Sequence, residues 1–497
     1  MTGLLHEPLD AAAARHPGRV AVGTGDAALT YPALADRSRR LAGWLAGLGV
    51  RRGDRVILAS SSGADVPALV YACARAGAVS VPLHPGTAPA VAAHVCADAA
   101  PALVLTDVPA LRDVARRQGA DTRDVPPAGA PLPPHWHQPT VLPVDPACFV
   151  YTSGSTAMPK AVVCTHQQMT FVAGAIASRL RYRPDDVVYS PLPLSFDYGL
   201  YQIFLCALAG ARLRLAGADD AGHRLVGELA GSATVPAATV LPAVPSLAAN
   251  LVRLLERRPR PLRLRLLTNT GAAMPDVTLA RLRQLLPDLR IQLMYGLTEC
   301  KRATVMGPDE DLARPGACGR ALPGTEVFVV DGDGRRLPTG ETGEIVVRGP
   351  HVMAGYWRRP ELTAERFPRA DGLFPELRTG DYGRLDGAGY LYFAGRRDDL
   401  YKENGFRVSV TEVEAAAQRV AGVRAAVVVP PASGAPGATL LVETDLSPAD
   451  VLVALRGELD TVKVPARCVV VPRLPLNANG KVERGRLPAL AGVPGDG

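Results

Sequence analysis

The stretch Tyr151-Thr-Ser-Gly-Ser-Thr-Ala-Met-Pro-Lys160 gathers four aliphatic hydroxyls, Thr152, Ser153, Ser155 and Thr156, around Gly154 and ends on Lys160. Such a loop can offer an oxyanion cluster backbone N–H groups freed by the glycine, several hydroxyl donors and one ammonium at once. It follows the apolar, β-capable run Ala147-Cys-Phe-Val150, so it reads as a phosphate loop at a strand end. The Walker pattern is absent, because Ala161 and not Ser or Thr follows Lys160 and the second glycine is missing. Serine, threonine and glycine also compose ordinary surface loops, so the phosphate reading depends on the rest of the chain.

Further along, Pro193-Leu-Ser-Phe-Asp-Tyr-Gly-Leu-Tyr-Gln-Ile-Phe204 holds a lone carboxylate, Asp197, inside an apolar run. That is costly unless the carboxylate caps a helix, pairs, or meets a ligand cation, and the pattern leaves the cap and the cation both open. Leu267-Thr-Asn-Thr-Gly-Ala-Ala-Met-Pro275 is a strand end passing through a glycine turn into a helix that starts near Pro275. Met294-Tyr-Gly-Leu-Thr-Glu-Cys300 sets an aromatic ring, a hydroxyl and a carboxylate within five residues, though Thr298 capping a helix with Glu299 in its first turn is an alternative. Lys301 and Arg302 follow at once, as surface charge or as cations lining a pocket. Arg378-Thr-Gly-Asp-Tyr-Gly-Arg384 and Gly395-Arg-Arg-Asp-Asp-Leu-Tyr-Lys-Glu-Asn-Gly405 are charged turns, and Asn479-Gly480 can form a tight turn that projects Lys481.

Taken together and in order, these stretches resemble the motifs of the adenylate-forming enzymes, which include acyl-CoA synthetases, peptide synthetase adenylation domains and luciferases. Ala157 and Ala161 stand where that family usually carries glycine. The resemblance runs from about residue 5 to about residue 487. It implies that Thr152, Ser153, Gly154, Ser155, Thr156 and Lys160 hold the ATP phosphates and that Gly271, Ala272 and Ala273 flank the adenine. It further places Met294, Tyr295, Gly296 and Phe393 at the nucleotide, with Tyr295 stacked on the base, Thr298 at the α-phosphate and Glu299 on Mg2+. Asp381 then accepts the ribose hydroxyls and Arg396 reaches ribose or phosphate. Asp398 is the hinge pivot, Gly405 lies on the pantetheine tunnel, and Lys481 neutralises charge on the attacking carboxylate. By the same resemblance Asp197 holds a substrate ammonium, and Tyr198, Tyr201, Lys301 and Arg302 line the acyl pocket. An Arg302 facing that pocket suits a second substrate carboxylate, since a guanidinium fork meets it bidentately. Tyr198-Gly-Leu200 looks instead like the acyl-CoA synthetase branch.

The elements that must position these groups follow an α/β pattern. Leu34-Ala-Asp-Arg-Ser-Arg-Arg-Leu-Ala-Gly-Trp-Leu-Ala has helical spacing, and Gly53-Asp-Arg-Val-Ile-Leu reads as a turn into a strand. A proline-rich connector from Val125 to Pro134 is a loop, and Asp331-Gly-Asp-Gly334 is a hairpin turn. At 497 residues and 47% hydrophobic content the chain can bury more than one core. The eight cysteines lack metal-like spacing and suit reduced thiols packed as small hydrophobes. A charge of +7, with arginines interleaved among acids and 5% aromatics, argues against nucleic acid and for small anionic ligands. Neither a signal segment nor an apolar run of about 18 residues is present, so a cytoplasmic protein with no membrane partner is expected.

The expectation is therefore an α/β chain. Residues 1–395 form a large multi-subdomain N-terminal domain binding ATP and acid, and residues 396–497 form a small mobile α+β lid. The expected reaction converts a carboxylic acid, an amino acid and an acidic or β-amino one by preference, to acyl-AMP and pyrophosphate using ATP and Mg2+. A phosphopantetheine thiol then displaces AMP, on a carrier protein acting in trans because no carrier motif follows Lys481, or on CoA. Activation of a non-amino acid and an inactive binding homologue are the alternatives.

Overall fold

A computed structural model describes residues 3–24, 27–60, 65–127, 130–132, 136, 138–152, 158–217, 222–370, 374–396, 400–403, 406–431, 437–459, 463–477 and 480–492. Short Val/Leu-rich runs bounded by turns become parallel strands buried on both faces. Arg212–Leu215, Val187–Ser190, Val240–Ala243, Leu266–Asn269 and Arg290–Tyr295 lie side by side in parallel, with Leu266 opposite Arg290 and Asn269 opposite Leu293. Beyond Arg290–Tyr295 the same sheet turns antiparallel through Thr304–Val305, Ala317–Ala321, Tyr390–Arg396 and Phe374–Leu385. In an open sheet of this kind ligands collect beyond the carboxyl ends of the parallel strands, and the chain leaves that edge through Val244, Gly271 and Gly296.

A second sheet carries the hydroxyl-rich stretch. Pro146–Thr152 runs beside Val79–Pro82 and pairs antiparallel with Lys160–Thr165, Thr152 facing Lys160 across the hairpin. Ser153, Gly154, Ser155 and Thr156 lie outside the described residues, as do Asp398 and Gly405. The helix His166–Leu180 opens on a capping box, in which Thr165 and Gln168 each bond the other's backbone N–H. Gln168 Nε2 also donates to Val352 O at 2.8 Å, fixing the segment that leads to Tyr356.

A smaller sheet, Val423–Val429, Thr439–Thr444 and Arg467–Val470, packs with the helices Val410–Arg419 and Pro448–Leu455 around a separate core that includes Val413, Leu440, Val442 and Val451. The α/β expectation holds. The spacing-based elements appear as the helix Tyr31–Gly47 and the strand Arg55–Ala59, and Asp331-Gly-Asp-Gly334 is a turn with Gly334 at φ 81°. All eight cysteines are free and six are buried; burial pushes the Cys148 thiol up to about 12. No helix among the described residues is long and apolar enough to cross a membrane.

Candidate active site

Met294 and Tyr295 pair with Val305 and Thr304, so the eight residues between them must close a tight excursion. A Cβ on Gly296 would sit 2.2 Å from Lys301 O, which is why glycine is needed there, and Lys301 takes a left-handed φ of 62°. Thr298 and Glu299 consequently lie in a turn, and the alternative of a helix capped by Thr298 does not apply. Glu299 is buried; its Oε1 accepts from Tyr356 Oη at 2.6 Å, and its backbone carbonyl accepts from Met353 N at 2.9 Å. The Lys160 ammonium rests 4.2 Å from the centre of the same Tyr356 ring, its pKa lowered by burial and raised in part by Glu299. No cluster of three metal-binding side chains occurs among the described residues. A single oriented carboxylate beside the Lys160 ammonium nevertheless fits Mg2+, which takes one or two carboxylates and completes its octahedron with phosphate and water.

Asp381 sits at the other end of the cleft, on Phe374–Leu385, directly across from Arg396 on the neighbouring strand. Its Oδ2 accepts from Tyr295 Oη at 2.7 Å and its Oδ1 from Arg396 Nε at 3.1 Å. Burial pushes the Asp381 carboxyl above the usual range, against the pull of Arg396 and the Tyr295 hydroxyl. The Tyr295 and Phe393 rings lie 5.8 Å apart, while Met294 is buried beneath and Gly271, Ala272 and Ala273 are exposed at the lip. An acceptor pair ready for a diol, a flat aromatic wall and a lip of small residues suit a nucleoside.

Between the two ends lies Asp197, the first residue of the helix Asp197–Ala209. The N-cap position belongs to Phe196, so capping does not explain Asp197. Asp197 instead faces Arg302, Oδ2 to Nη1 at 3.4 Å, and both are 4% exposed. The guanidinium lies 4.7 Å over the Tyr198 ring, whose hydroxyl bonds Thr268 Oγ1 at 2.6 Å. Lys301 is completely buried, 5.9 Å from the Tyr201 ring centre, and its ammonium finds no acceptor better than the Cys164 thiol among the described residues. Surface charge is thus excluded for both cations. Gly199 has a packing role, since a Cβ there would lie 2.3 Å from Pro193 O, so Tyr198-Gly-Leu200 says little about substrate.

Lys481 reaches this cleft from the smaller unit. Gly480 has φ 72°, Lys481 N donates to Asn477 Oδ1 at 3.0 Å, and Asn477 N donates back to Lys481 O at 2.8 Å, which closes the turn. The ammonium then lies 5.3 Å from the Phe196 ring centre, with Cε beside Gly271. Burial lowers its pKa, Asp197 raises it, and Arg396 and Arg302 lower it further. The structure therefore brings Lys160, Glu299, Tyr295, Asp381, Arg396, Asp197, Arg302 and Lys481 to one cleft. Sequence reading missed Phe196, Tyr356 and Ser246. Phe196 was signalled only by its place beside Asp197, and the other two by nothing local.

The AMP-binding enzyme family matches residues 9–357. The L-proline--[L-prolyl-carrier protein] ligase of Pseudomonas fluorescens is 30% identical over 97% of this chain and 98% of its own. The chain spans 6 to 19% of the length of the longer synthetases among its curated relatives. Among solved structures, VinN in complex with L-aspartate superposes with a TM-score of 0.71 at 38% identity, over 79% of this chain and 99% of that one. ATP-bound MatB from Rhodopseudomonas palustris gives a TM-score of 0.86 at 29% identity over 98% of both.

Proposed function

The chain belongs to the AMP-binding enzyme family, and from that premise we propose that it activates an amino acid bearing a second carboxylate and loads it onto a separate carrier protein. In the first step a substrate carboxylate oxygen attacks the α-phosphorus of ATP in line. The new O–P bond forms as the bond to the bridging oxygen breaks, and pyrophosphate leaves. In the second step a phosphopantetheine thiolate attacks the acyl carbon, forming the thioester and releasing AMP.

In this reading Lys160 and the hydroxyl loop cradle the β- and γ-phosphates, Thr298 meets the α-phosphate, and Tyr295, Asp381, Phe393 and Arg396 fix the nucleoside. Glu299, turned by Tyr356, would hold Mg2+, which supplies charge neutralisation at the phosphates. Lys481 does the same for the approaching carboxylate, so the work is positioning and electrostatics. Residues 1–395 form the nucleotide and acid domain, and residues 396–497 form a lid that turns about Asp398 between the steps to admit the thiol past Gly405.

The observation carrying the acidic-substrate reading is a buried charged group, in which one carboxylate, Asp197, faces Arg302 and Lys301 is buried beside them. Two buried cations against one anion leave a positive surplus, and 3.4 Å is a loose pairing. A substrate with both an ammonium and a remote carboxylate replaces that pair with two better ones, the ammonium on Asp197 and the carboxylate on the Arg302 fork. The aspartate complex of VinN and the carrier-protein ligase of P. fluorescens support the substrate class and the acceptor. A carboxylic acid without an amino group, loaded onto CoA, is the second reading, favoured by the likeness to the O-succinylbenzoate Coenzyme A Synthetase of Bacillus subtilis, 26% identical over 97% of this chain with a TM-score of 0.81. Amino-acid-dependent ATP–pyrophosphate exchange, followed by mass spectrometry of a carrier protein, tests the proposal.

Arg302→Ala should raise KM for an acidic amino acid about ten- to a hundredfold, the worth of a charge-assisted hydrogen bond of roughly 1.5 to 3 kcal/mol, with ATP affinity unchanged. Arg302→Lys should recover only part, because the fork is lost. A silent Arg302→Ala in the exchange assay removes the second carboxylate from the proposal.

A further inference from the structure

We propose that Ser246 is the positioning residue that latches the Lys481 turn over the cleft for adenylate formation and for that step alone. Ser246 lies in the first turn of the helix Pro245–Arg257, at the carboxyl edge of the strand Val240–Ala243. Serine at a helix start ordinarily caps its own helix. Here Val244 holds the cap position, and the Ser246 hydroxyl donates across to Gly480 O at 3.0 Å, a contact between residues 234 apart in the chain.

That bond fixes the peptide plane joining Gly480 to Lys481, and so fixes where the ammonium leaves the turn. The fit around it is close. A Cβ on Gly480 would stand 2.6 Å from Ser246 Oγ and 3.1 Å from Val244 Cγ2, and Gly480 already needs a positive φ. The turn's own bonds, between Asn477 and Lys481, close it internally and say nothing about where it docks. Ser246 provides that direction. When the lid turns for the thiol step, Gly480 leaves and the latch opens, so the hydroxyl contributes to one half-reaction only.

The inference rests on the two-orientation reading of residues 396–497, and the test separates them by measuring both half-reactions. Adenylation is followed by pyrophosphate exchange, and transfer by thioester formation from isolated acyl-AMP with pantetheine. Ser246→Ala should slow adenylation about three- to tenfold, the range for one neutral hydrogen bond, while transfer and the unfolding temperature stay at native values. Ser246→Val, which sets methyl groups against Gly480, should slow adenylation further and again spare transfer. Unchanged adenylation in Ser246→Ala, or equal losses in both half-reactions, overturns the latch. Lys481→Ala serves as the reference. If it separates the half-reactions while Ser246→Ala does not, the latch alone fails; if it lowers both alike, the lid reading fails and the latch with it.

Discussion

Lys481→Ala should lower the rate of adenylate formation by roughly 10²- to 10³-fold or more, the cost of removing one preorganised charge-stabilising group at the reacting centre. The ammonium is held beside Gly271 and Phe196, between Asp197 and the Asp381–Arg396 pair, where a carboxylate approaching an α-phosphate would pass. Burial lowers its pKa, as do Arg396 and Arg302, while Asp197 and Asp381 oppose the shift. Thioester formation from pre-made acyl-AMP should be largely spared, because in the proposed cycle residues 396–497 then present a different face. Rapid-quench measurement of each half-reaction checks this. Equal losses in both would mean that Lys481 has one place throughout the cycle.

The second large effect belongs to Asp197. A buried site built to bind a substrate N–H rejects the analogue lacking it by about 10⁴-fold, since the unpaired buried group remains behind. The native protein should therefore discriminate an acidic amino acid from its des-amino diacid by orders of magnitude, and Asp197→Ala should collapse that ratio toward unity. The same substitution strands Arg302 and Lys301 without their carboxylate, and stranding a buried charge costs roughly 3 to 5 kcal/mol. Thermal unfolding should fall accordingly, and a bound diacid should restore part of it. A variant that keeps the native preference for the amino acid would show that the ammonium is recognised elsewhere.

How far the cleft was legible depended on whether the deciding interaction was local. Gly296, Gly271 and Gly480 stand at turns whose geometry demands them, so the short strings around them announced strand-end loops, and the α/β alternation followed from periodicity over single elements. Asp197 was ambiguous because cap and first helical residue differ by one position, a shift that only the backbone at Phe196 resolves. Lys301 and Arg302 were ambiguous for another reason: a turn has no apolar period to reveal which side chains point inward, and their burial is set by the helix Asp197–Ala209 closing over them. Tyr356 and Ser246 were invisible, since each acts through a partner 57 or 234 residues away. In Tyr198-Gly-Leu200 the contact of Gly199 with Pro193 O was equally invisible, since it depends on how the preceding loop folds back on the helix.

The most direct test of the central claim is kcat/KM in ATP–pyrophosphate exchange for aspartate, succinate and a neutral amino acid of similar size. Recognition by the buried group Asp197, Arg302 and Lys301 predicts that aspartate exceeds the neutral amino acid by about ten- to a hundredfold and succinate by more. Succinate turned over as well as aspartate, or a neutral amino acid preferred to both, would contradict it.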